Sequence, residues 1–239
     1  MKTTFWMITI FFSLCLSGCK SNFLFDKSNL TPVLNKISEI EKVEEDDKIR
    51  SFKDPKTNLI GFKDQNGKVL IPPQYSAAYE FNKYGIADVL LSRGLADWYK
   101  INKSGKLLVK SYFFDNGPDY YVTGLSRYEK DGKVGFVNFE GDIIIPAQFD
   151  WASTFSYSIP ISLVCIGCAP EHVNANHVGC CHPEIKGGKW GIIDIKGNIL
   201  VPLDFSGFTI ENNILLMVKG AEKYQVYNKV GKLRLIKIK

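Results

Sequence analysis

The sequence has little of what most enzymes use at neutral pH. It holds 3 histidines among 239 residues, and all of them fall within residues 172–182, so no serine triad finds its base elsewhere. Glycine-rich phosphate loops and Gly-x-Ser-x-Gly elbows are missing. The carboxylates are scattered and single out no glycosidase pair. These gaps argue against an enzyme. Lysine and arginine outnumber aspartate and glutamate by 30 to 25, but no dense basic block occurs, which excludes a nucleic-acid partner. Glycine at 20 and proline at 10 exclude a collagen or a low-complexity linker. What is present is a chain rich enough in apolar residues, 45%, with 13% aromatics, to bury a core.

The first 18 residues read as a leader. Met1-Lys2 gives a positive start, and Phe5 to Leu16 is almost wholly apolar, too short to span a bilayer comfortably but matched to a signal-peptide core. Leu16-Ser17-Gly18-Cys19 resembles the lipobox of bacterial lipoproteins. That resemblance implies cleavage before Cys19, acylation of its thiol, and anchoring by two or three chains, which hold where one would not. Lys20, in place of aspartate, implies the outer membrane facing the periplasm if the cell is Gram-negative. Residues 19–48 are then a tether, with a short helix after Thr31-Pro32.

From residue 49 onward the chain is expected to form one β domain, because the sequence repeats. Five glycines, Gly67, Gly105, Gly141, Gly197 and Gly231, are spaced by 38, 36, 56 and 34 residues. Asp64, Asn102, Asn138, Asp194 and Asn228 stand three residues before them. Pro72, Pro146 and Pro202 follow three of them, and Tyr75, Phe113, Phe149 and Phe205 follow four. Asp or Asn bonding its own turn, then a glycine at positive φ, is hairpin chemistry. A third apolar run follows in four units, at residues 86–91, 121–128, 161–166 and 214–218. The expectation is an all-β array of about five three-stranded antiparallel units.

Lys189-Trp190-Gly191-Ile192-Ile193-Asp194 with Gly197 and Val201-Pro202 resembles the WG (or KWG) repeat proteins of bacteria. Lys133 to Asn138 and Ile60 to Asp64 follow the same pattern, whereas the units at Trp98 and Tyr224 carry Tyr99 and Gln225 in place of glycine. The resemblance implies an architecture and carries no common catalytic residue. The fifth unit has only two strands, and residues 49–53 alternate like one more, so they are expected to complete it and close a propeller-like ring. An open β-solenoid is the alternative.

One spacing is longer, and it places an insertion at residues 165–188 that holds Cys165, Cys168, Cys180, Cys181, His172, His177 and His182. In an oxidising compartment the preferred reading is two disulfides, with Cys180 and Cys181 each reaching back to Cys165 or Cys168. A zinc site built on the Cys165-x2-Cys168 knuckle is a second reading, and thiol redox chemistry a third. Covalent haem is disfavoured because Ala169, not histidine, follows Cys168.

The function expected is a lipid-anchored, non-enzymatic repeat module without cofactor. It would present a surface to an envelope protein, peptide or glycan, with Trp98 and Trp151 as aromatic anchors. The alternative is a metal-binding or thiol-active lipoprotein centred on the insertion.

Overall fold

The computed structural model describes residues 49–91, 97–157, 159–171, 184–212, 214–229 and 232–238. The leader, Cys19, the tether with its expected helix, and residues 172–183 lie outside them. Within the described residues every regular element is a strand.

The strands are β1 (Arg50–Lys53), β2 (Ile60–Lys63), β3 (Val69–Tyr75), β4 (Ala77–Ala78), β5 (Ile86–Leu90), β6 (Trp98–Asn102) and β7 (Leu107–Ser111). A small excursion follows, β8 (Phe113–Phe114) and β9 (Gly117–Pro118). Then come β10 (Leu125–Lys130), β11 (Lys133–Asn138), β12 (Ile143–Phe149), β13 (Trp151–Ala152), β14 (Ile161–Pro170), β15 (Ile185–Asp194) and β16 (Ile199–Phe205). The last four are β17 (Gly207–Glu211), β18 (Ile214–Lys219), β19 (Glu222–Lys229) and β20 (Lys232–Ile238).

The turns form as the sequence dictates. Asp64, Asn102, Asn138 and Asp194 each accept two backbone N–H bonds through Oδ1, from residues two and four ahead, at 2.8–3.0 Å. The glycine between those donors takes positive φ in every case. Asn82-x2-Gly85 repeats the device outside the hairpins, with Asn82 Oδ1 accepting from Tyr84 and Ile86.

Strand pairing corrects the expected grouping. Each third apolar run pairs with the next hairpin, β5 with β6, β10 with β11, β14 with β15 and β18 with β19, and only β10 also pairs, through β7, with the hairpin before it, as the expected grouping had it. The first, third and fourth repeats therefore each lend a hairpin to one sheet and their later strands to the following one, whereas the second keeps β6, β7 and β10 in one sheet. The run at 121–128 begins late, since β10 starts at Leu125. The fifth unit lacks nothing, because β17 and β18 complete it.

The ring does not close. Arg50–Lys53 pairs with Ile60–Lys63 in the first unit, and β1 and β20 are edge strands of separate sheets. The protein is an open array. Its end strands are guarded: β20 carries Lys232, Arg234 and Lys237, and the Ser51 amide of β1 donates to the Glu80 carboxylate at 3.1 Å. The second and third units join into one seven-stranded sheet through β7 and β10.

Adjacent units share cores. Phe62, Ile71 and Tyr75 pack with Ala87, Val89 and Ile101 between the first and second units. Phe136, Ile145 and Phe149 meet Val164 and Ile193 between the third and fourth, and Trp190, Val201 and Phe205 meet Met217 between the fourth and fifth. Nearest-neighbour packing of this kind is what a repeat array stands on.

Candidate functional site

The insertion lengthens the hairpin of β14 and β15, which stay paired out to Pro170 opposite Ile185. Cys165 and Cys168 are joined by a disulfide with their Cα atoms 6.1 Å apart. They are three residues apart on one strand, a spacing that ordinarily puts side chains on opposite faces. Gly167 at φ +76° and Gly188 across from it at +71° break the pleat and bring both sulfurs to one side. That side is the core: Cys165 is fully buried and Cys168 nearly so, among Trp190, Phe205 and Met217. The Gly167 amide donates to Asp150 Oδ2 at 2.6 Å, and Trp190 Nε1 donates to the Gly187 carbonyl at 2.7 Å. Lys133 bonds the other Asp150 oxygen at 2.5 Å, and these two bonds hold the carboxyl below its ordinary range.

This corrects the expected pairing, in which Cys165 and Cys168 would each reach Cys180 or Cys181. A glycine-made break in the strand lets them reach each other. Cys180, Cys181, His172, His177 and His182 lie outside the described residues, among which no group of three metal-ligating side chains gathers. Two sulfurs bonded to each other and shut in a core offer no thiolate to a metal or a substrate. Trp98 is also corrected as an anchor, being 7% exposed, and Trp151 packs its ring on Trp190 with centroids 5.5 Å apart.

The site that remains lies between the second and third units. A cavity of about 230 Å³ is lined by Tyr79, Glu80, Asp88, Tyr120, Tyr121 and Phe139 among others. Three stretches of chain build it: the loop into β5, the segment after β9, and the tip of the β11–β12 hairpin. Asn82 Nδ2 ties the first to the third by donating to the Phe139 carbonyl at 3.0 Å. The Phe139 ring stacks on Tyr121, with centroids 4.3 Å apart and planes 19° apart, and Tyr84 stacks beyond it.

Two ion pairs contribute their carboxylates to the lining. Lys100 is wholly buried and bonds both oxygens of Asp88, at 2.9 and 3.0 Å, while the Ser111 hydroxyl donates to Asp88 at 2.5 Å. Arg127 grips Asp119 through Nε at 2.9 Å and Nη2 at 2.7 Å, and its Nη1 donates to the Ala152 carbonyl at 2.9 Å. A bidentate buried pair is directional, and removing one partner from it is costly because the other charge is left buried. Tyr121 stands over Lys100, whose Nζ is 4.6 Å from the ring centroid. Its hydroxyl is buried and has no hydrogen-bond partner among the described residues. Burial, and then the charges of Asp88 and Glu140, push that phenol far above its ordinary pKa, so it stays protonated.

None of these residues stood out in the sequence. They come from positions 79–88, 118–121 and 139, and the sole local signal was a crowding of tyrosine and phenylalanine after residue 112. A second cavity of about 350 Å³ between the fourth and fifth units is lined mainly by aliphatics, including Ile161, Leu163, Ile210, Ile214 and Leu233.

A family model of the WG containing repeat matches residues 60–91, 135–167 and 190–220. Each match covers one hairpin and the strands that follow it, so the family's repeat is offset from the sheet. The units opened by Trp98 and Tyr224 are structural repeats without a match. Among curated proteins none matches the chain. With its three matched repeats and two further units of the same build, the chain is a WG repeat protein.

Proposed function

We propose that this protein is a lipid-anchored component of the bacterial cell envelope whose WG array acts as a non-enzymatic interaction module. The cavity between the second and third units is its ligand-facing site. The observation that carries the reading is that cavity: Tyr79 and Tyr120 stand 56% and 57% exposed at its mouth, over a floor of carboxylates and stacked rings. Anchoring rests on the leader and on Leu16-Ser17-Gly18-Cys19, and no helix among the described residues is long and apolar enough to cross a membrane. The metal-binding or thiol-active alternative is weakened by the buried bond between Cys165 and Cys168.

Two experiments test the proposal. Cys19→Ala should release the protein from membranes, and retention after a salt wash would overturn the anchor. Capture of an envelope partner by the native protein should fall when Tyr79 and Tyr120 are both changed to alanine. Capture that survives the double change would move the interaction off this cavity.

A further inference from the structure

We infer that the cavity between the second and third units takes a protonated amino group, seated between the Glu80 carboxylate and the rings of Tyr79 and Tyr120. The inference rests on reading that cavity as the ligand-facing site, and it adds the chemistry of the ligand.

Charge balance comes first. Three carboxylates line the cavity, those of Glu80, Asp88 and Asp119. Arg127 neutralises Asp119, and Lys100 neutralises Asp88. Glu80 accepts from the Ser51 amide and from the Ser51 hydroxyl at 2.6 Å, both neutral donors, and none of the ion pairs among the described residues includes it. Among the described residues the lining thus keeps one uncompensated negative charge. It repels anions and attracts a cation.

The rings point the same way. An aromatic face carries partial negative charge and seats a cation within about 6 Å. One ring of the lining already does so for the protein's own cation, Tyr121 for Lys100 at 4.6 Å, and two rings outside the lining do the same, Tyr84 for Lys83 at 4.8 Å and Tyr112 for Arg127 at 4.3 Å. Tyr79 and Tyr120 are the more exposed rings of the lining and hold none of these cations. Tyr121 adds a buried phenol oxygen with no partner among the described residues, held protonated, which can accept an N–H bond when the wall shifts around a ligand. That favours an ammonium bearing hydrogens over a quaternary one. About 230 Å³ suits a head group or a single side chain rather than a whole drug-sized ligand.

The test titrates the full chain, purified in detergent, with butylammonium and with its neutral isostere 1-butanol, and with glucose, reading binding by saturation-transfer NMR. Butylammonium is expected to bind at about millimolar strength and 1-butanol at least tenfold more weakly. Glu80→Gln should remove about tenfold of the affinity and most of the preference for charge. Tyr120→Ala, on an exposed loop residue, should weaken binding without loosening β1, and Tyr227→Ala on β19 should leave it unchanged. Equal binding of 1-butanol and butylammonium overturns the inference in favour of a merely apolar cavity. Stronger binding of glucose overturns it in favour of a sugar site, and no binding by any probe overturns it outright. In each of these cases, envelope capture that still depends on Tyr79 and Tyr120 leaves the interaction module standing, so the two readings fail separately.

Discussion

The Cα of Gly135 lies so close under Ile145 that an added Cβ would stand 2.5 Å from the Ile145 carbonyl oxygen. Gly61 faces Ile71, at 2.5 Å, and Gly191 faces Val201, at 2.6 Å, in the same way. The cause is the proline of the return strand. In these three units the register slips twice between the repeat's opening strand and its partner, so the bulged segment crosses over the glycine. The unit of Tyr99 lacks that proline and slips once, and the unit of Gln225 lacks it and pairs in perfect register. Glycine and proline are two halves of one device.

A methyl group should therefore be costly there and harmless elsewhere. Gly135→Ala is expected to destabilise the protein by about 2–4 kcal/mol, since backbone rather than a flexible side chain must yield. Gly207→Ala, where nothing lies within 4 Å, should change stability by less than about 0.5 kcal/mol. Urea midpoints of the two variants decide it, and equal midpoints would refute the crowding argument.

The Arg127–Asp119 pair gives a second expectation. Asp119→Ala leaves a buried guanidinium bonded to the Ala152 carbonyl and set against the Tyr112 and Phe114 rings, without its counter-charge, and should cost about 3–5 kcal/mol. Replacing both residues by apolar ones of similar size should cost clearly less. A double-mutant cycle in denaturant measures the difference.

Peptide mapping of the oxidised protein should find Cys165 and Cys168 linked within one peptide, not cross-linked to one carrying Cys180 and Cys181. The bridge closes a very short loop, so Cys165→Ala with Cys168→Ala should cost only about 2 kcal/mol. Amide exchange should quicken along β14 and β15 while the other units keep their protection.

Acid should loosen the same hairpin. The Asp150 pKa is lowered by the Lys133 hydrogen bond and then by the Gly167 amide, so its contribution is present above the ordinary carboxylate range and is lost as pH falls through the depressed folded value. The Gly167 amide resonance should shift in that acidic window, and Asp150→Asn should abolish the shift. A Gly167 signal that titrates identically in the variant would exclude Asp150 as its cause.

The hairpins were legible in the sequence because each carries its own chemistry: a side chain that bonds the turn, a glycine that turns it, and an apolar run on either side. Phase was not legible. Ile86–Leu90 is apolar whichever hairpin it joins, and nothing within it says that Trp98–Asn102 is its partner. Closure was misread for the same reason, since residues 49–53 were assigned to the last unit although their partner, Ile60–Lys63, lies a few residues away. The pairing of Cys165 with Cys168 hinged on Gly167, whose positive φ cannot be read from a glycine in an apolar strand. The cavity was hidden because Glu80, Tyr121 and Phe139 converge only once the second and third units have joined.

The offset between repeat and sheet at the first, third and fourth repeats makes their junctions half-lap joints rather than butt joints. A repeat arrives with a finished hairpin at one end and unpaired strands at the other, ready for the next hairpin. Gain or loss of a whole repeat leaves matching half-joints on both sides, so such an array can change length without any new interface being invented. The ends need no redesign either, because β1 and β20 remain the terminal strands whatever number of repeats stands between them.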